Sequence, residues 1–171
     1  RARGLDNTEE FRAAIAQNEQ GIWITALFRK ELATQGKAPE EEVAAEATKL
    51  RESDKNLSEA DATARAAQME ADRRARKLEE DLVAAARKET PVAVDTERVQ
   101  KIGKGESVAD NAVLATAGGE KITWSQAKEL LQQMSQGAHG GQDLFRNPVA
   151  IERVLDREAT GRALYNYAKE Q

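Results

Sequence analysis

The residue types that carry most enzyme chemistry are scarce in this chain. Its 171 residues include one histidine, His139, and no cysteine. A thiolate metal site, a disulfide framework, a cysteine nucleophile and any site needing two imidazoles are excluded. His139 sits within Gly137-Ala138-His139-Gly140-Gly141. That glycine run follows no strand and lacks the spacing of a phosphate cradle, so it reads as a surface loop. Carboxylates cluster at Glu40–Glu42 and Glu79–Asp81. Both groups fall on polar helix faces with no sign of burial, so they read as solvated faces, not as an acid and base pair. Arg73, Arg74, Arg76 and Lys77 form a basic cluster, offset by Glu70, Asp72 and Glu79–Asp81. That is a salt-laced helix, not a nucleic-acid surface. No cofactor and no metal is expected, and no catalytic residue is assigned. The remaining chemistry is apolar. Ile22, Trp23, Leu27, Phe28, Trp124, Leu131, Phe145 and Tyr165 are the candidates for a surface that takes peptide segments.

The elements that position these residues are helical. Hydrophobic residues make up 40% of the chain, but 31 of them are alanine. Leu, Ile, Val and Phe together also number 31 of 171, under the roughly 20% that accompanies disorder when net charge is high. Net charge is only −4, and alanine is the best helix former. An alanine-rich helical protein with a thin core follows. No apolar run approaches the roughly 18 residues of a membrane helix, so no membrane span is expected. The chain opens on Arg1, as a processed chain, a truncated one or an internal piece does.

Local signals divide the chain further. Asn7 with Glu10 reads as a capping pair for a helix carrying Phe11, Ile15, Ile22, Leu27 and Phe28 and ending near Thr34–Gly36. Gly21 inside it suggests close packing against another helix. Pro39 opens an acidic helix, Glu40–Glu52, from its first position. Ser58 and Asp61 resemble a capping box for a long helix, Glu59–Glu89. Ala71, Ala75, Leu78, Leu82 and Ala86 form its narrow apolar stripe. Pro91–Asp95 reads as a short strand, and residues 96–107, with Gly103 and Gly105, as a linker. Gly118-Gly119 joins Val113–Ala117 to Glu120–Trp124 as a two-residue hairpin. Thr123 with Gln126 starts a helix near Trp124–Gln136, and Asn147-Pro148 starts a last helix running to Lys169. The expected fold is mainly α with a small antiparallel β element, and elongated.

A family resemblance becomes visible at the hairpin. Val113-Leu114-Ala115-Thr116-Ala117-Gly118-Gly119-Glu120-Lys121-Ile122-Thr123 resembles the start of chaperone domains in the SurA/PrsA group of parvulin-type foldases. Val154-Leu155-Asp156-Arg157-Glu158, with the helix end Tyr165-Asn166-Tyr167-Ala168-Lys169, is similar to the helix that follows there; Ala159 and Gly161 depart from it. Arg3-Gly4-Leu5-Asp6 with the Phe11–Leu32 helix, and Leu78–Val94, resemble the later helix and closing strand of the same unit. The order is inverted, with the later half at residues 1–95 and the earlier half at 108–171, as in a tandem-unit protein cut inside two successive units. The resemblance implies an elongated multi-helix peptide-binding chaperone domain. It implies a periplasmic or otherwise extracytoplasmic holdase whose clients are unfolded or outer-membrane proteins. The parvulin domain itself is absent, so the alternatives are part of a prolyl isomerase with its catalytic domain elsewhere, or a helical adaptor for one partner. The two halves are expected to dock, within one chain or as a domain-swapped homodimer.

Overall fold

The computed structural model describes residues 9–135 and 144–171, and only the backbone of residues 9–14, 16 and 17. The Asn7 cap and the loop holding His139 lie outside the described residues. The described chain is mainly helical with one small antiparallel sheet. Its elements are α1 (Glu9–Gln35), α2 (Glu40–Ser53), α3 (Glu59–Glu89), β1 (Val92–Val94), α4 (Thr96–Gly103), β2 (Val113–Ala117), β3 (Glu120–Thr123), α5 (Trp124–Ser135) and α6 (Pro148–Glu170). A short 3-10 turn, Leu144–Arg146, precedes α6. No described helix is long and apolar enough to cross a membrane. The chain divides into two compact units, Arg1–Ile24 with Val83–Gln171, and Thr25–Leu82.

The first unit is built on the sheet, ordered β1-β2-β3. Gly118 and Gly119 both take positive φ, 57° and 95°, which a two-residue hairpin turn matching strand twist requires. β1 lies antiparallel on β2, with Val92 opposite Ala117 and Val94 opposite Ala115. The strand before α4 and the hairpin after it thus dock within one chain. α6 packs on β1 and β2, and α4 and α5 pack on α6. The core is filled by Val99, Leu114, Ile122, Leu131, Ile151 and Leu155, all fully buried.

Residues 96–103 are helix α4, not linker, which corrects the expectation for 96–107. Asp95 caps it by accepting from the Arg98 N–H at 2.9 Å. Val99 and Ile102, three residues apart, both enter the core. That burial outweighs the two glycines, which fall at the end of the helix and beyond it. Capping geometry elsewhere follows the sequence. Thr123 N–H donates to Gln126 Oε1 at 3.0 Å, and Asn147 Oδ1 accepts from Val149 and Ala150.

The second unit is helical. Ala47 of α2 meets Ala62 and Ala66 of α3, flanked by Val43, Leu50 and Leu57. Ser58 Oγ accepts from the Asp61 N–H and donates to the Asp61 carboxylate, completing the cap of α3. Gly36 takes φ 66°, the left-handed stop common after a helix. Arg74 donates to the carbonyls of Lys37 and Gln35, fixing the end of α1 on α3. Glu70, 3% exposed, is paired with Arg73 at 2.8 Å.

Three further local expectations are corrected. Pro39 is the residue before α2, not its first helical position, and its carbonyl accepts from Val43 N–H. Gly21 has nothing within 4 Å of where a Cβ would stand, so no described helix packs on that face; the close approach to α6 is made beside it, by Gln20 against Gly161. Ala71 is exposed, and the buried series of α3 is Ala62, Ala66, Glu70, Leu78, Leu82 and Ala86. Buried positions four apart advance by about 40° per step on a helix of 3.6 residues per turn, so the stripe winds around α3.

Candidate functional site

The candidate apolar residues separate into three groups. Leu131 is fully buried, Leu27 is 4% exposed and Trp124 8% exposed. The first two are packing residues, which corrects their assignment to a binding surface. Leu131 lies on the inner side of α5, in the cluster that includes Leu155 and Ile151. Phe28, Phe145 and Tyr165 are half-buried. Ile22 and Trp23 are exposed on α1, with Ile15 seven residues before Ile22 and therefore on the same face.

Two of the candidates share a cleft. Trp124 and Phe145 line a depression of about 330 Å³ with Ile102, Val108, Gly105, Glu106, Ser107 and Arg146. Trp124 is placed there by the β3-to-α5 junction, where its N–H donates to the Ala112 carbonyl at 2.9 Å. Lys128 stands 5.8 Å from the centre of its ring and is held by Asp110 at 2.7 Å. The apolar lining comes from α4, α5, the 3-10 turn and Val108 of the segment after α4, so a helix not expected from the sequence builds one wall.

A second cleft of about 310 Å³ lies between α5 and α6. Leu130, Gln133, Met134, Val154, Arg157 and Glu158 line it. None of these was a sequence candidate. The available signal was the Leu130–Met134 pair, four residues apart and so on one helix face. The adjacent Leu131 takes the inward direction instead.

Both clefts sit at the low end of ligand-pocket volumes, about 300–1,000 Å³. Each carries one acid and one base, Glu106 with Arg146 and Glu158 with Arg157. Neither therefore selects strongly for ligand charge. Glu158 is also tied to Arg162 at 2.9 Å. Tyr165 donates to Glu19 at 3.0 Å, with Lys169 5.0 Å from its ring centre, so the phenol serves to hold α1 on α6. Among the described residues no group of three His, Asp or Glu side chains is placed to hold a metal ion. The arrangement offers apolar contact with mixed rim charge.

No protein-family model, no curated protein and no solved structure matches the chain.

Proposed function

We propose that this chain is a non-catalytic binder of extended, apolar polypeptide segments, acting as a holdase for unfolded or outer-membrane proteins. The observation that carries this reading is the number of large apolar side chains left at the surface. Ile22 is 68% exposed, Met134 47% and Trp23 40%, in a chain with few large apolar residues to spare. A client segment that covers them gains about 25 cal/mol per Å² of apolar surface buried. Several shallow contacts of mixed charge give weak binding with little sequence preference. The family resemblance supports the same reading and implies a periplasmic or otherwise extracytoplasmic setting.

Light scattering of a chemically denatured reporter protein diluted into buffer tests this. Excess chain is expected to suppress the scattering. Ile22→Ser and Met134→Ser, which remove exposed apolar surface, are expected to weaken suppression while leaving the far-UV circular dichroism unchanged. Scattering unaffected by the chain at any ratio overturns the proposal.

A further inference from the structure

The two edges of the sheet are finished differently. On β3, the Lys121 carbonyl accepts from Arg162 at 3.3 Å and the Thr123 N–H is taken by Gln126 at 3.0 Å. The chain's own side chains thus take one acceptor and one donor of that edge. On β1, the bonds to β2 use the Pro91 carbonyl, which accepts from Gly118 N–H, and the Asp95 N–H, which donates to the Leu114 carbonyl. Antiparallel pairing alternates bonded and non-bonded residues. With Ala93 opposite Thr116, the inward-bonding positions are 91, 93 and 95. The N–H and C=O groups of Val92 and Val94 therefore point outward. Among the described residues none forms a hydrogen bond to them. The strand Val-Ala-Val carries no charge within its three residues, and the devices that blunt an edge are confined to its shortness and to Pro91 and Asp95 at its ends.

We propose that the outer edge of β1 is a strand-addition site, where an extended client segment joins the sheet as a fourth strand. The inference rests on the polypeptide-binding reading above and names its mode and place. Two donors and two acceptors at every second residue are the complement of an extended main chain and of no other common ligand. Main-chain bonding supplies affinity without side-chain specificity. On the side where Val92 and Val94 join the core, alternate client residues are apolar; those beside exposed Ala93 are of any type.

A second copy of this chain fits the edge poorly. β1 is bracketed by the end of α3 at Glu89 and the start of α4 at Thr96. Antiparallel pairing of two β1 strands about Ala93 sets Thr96 of one against Thr90 of the other. Helices about 10–12 Å wide then meet at strands about 4.8 Å apart. An unfolded segment has no such flanks.

Amide hydrogen exchange read by NMR tests the site on the whole chain. The probe is a lysine-flanked peptide of alternating valine and threonine. A second peptide has the same side chains but an N-methyl group on every valine and threonine. At saturating probe, exchange at Val92 and Val94 is expected to slow by roughly tenfold or more, as for amides entering a ladder. The N-methylated peptide, with both of its edges blocked, is expected to leave both amides unchanged. Three results overturn the proposal. In the first, the probe binds and protects other residues, which leaves polypeptide binding standing. In the second, both amides are already slow without peptide and slow further with protein concentration, which identifies a second copy as occupant. In the third, no peptide binds, and both readings fall together.

Discussion

At the residue scale, burial decides what each side chain contributes. Leu155 is fully exposed to packing and not at all to water. Leu155→Ala is expected to cost about 2–5 kcal/mol, read as a shift of the urea midpoint. The hairpin glycines offer a finer comparison. At both, positive φ makes a side chain cost about 1–2 kcal/mol. A Cβ on Gly118 also meets Thr90 Cγ2 at 2.7 Å, whereas one on Gly119 meets nothing. Gly118→Ala is therefore expected to destabilise more than Gly119→Ala. Thr90→Ser should recover part of the difference, and a double-mutant cycle measures the coupling. No recovery with Thr90→Ser would show that the contact with Thr90 does not set the cost.

At the element scale, α4 shows how little sequence a helix needs when its cap and its buried face agree. It has eight residues, too few for stability alone in water. Asp95 supplies the cap, and Val99 with Ile102 supply the anchor. Asp95→Ala is expected to cost about 1 kcal/mol by thermal unfolding. Because α4 also builds a wall of the Trp124 cleft, the same change should alter the tryptophan emission. An unchanged melting temperature would place the stability of α4 in its apolar contacts alone. The caps of α3, α5 and α6 were legible from Ser58, Thr123 and Asn147, since each bonds within three residues of itself.

At the scale of the whole molecule, the contact between α2 and α3 is less well provided with large apolar residues than the core around the sheet. The sheet-bearing unit buries Leu114, Ile122, Leu131, Ile151 and Leu155. Around Ala47, Ala62 and Ala66 the helical unit offers only half-buried Val43, Leu50 and Leu57. Alanine buries far less area than leucine, so the contact between α2 and α3 is the weaker one. Amides of α2 are expected to exchange through local opening well before those of β2, under conditions where β2 follows global unfolding. Matching exchange free energies in α2 and β2 would refute that division.

The amino-acid sequence by itself determined the local features of this protein. The limits of α3, the Gly118-Gly119 hairpin, the late caps and the helical class with a small antiparallel sheet could all be read from it. These depend on propensity, capping and turn chemistry acting over a few residues. Which apolar residues reach the surface was decided only by tertiary structure. Leu130 and Leu131 are neighbours with the same propensity, yet one lines a cleft and the other fills the core. Trp23 and Leu27 lie one turn apart on α1, and only the second is buried. A 3.6-residue period tolerates either choice, and the crossing of other helices makes it. That the outer groups of β1 have no partner among the described residues is likewise a tertiary fact, because a strand's two sets of backbone groups are identical in sequence and differ only in which side its partner lies.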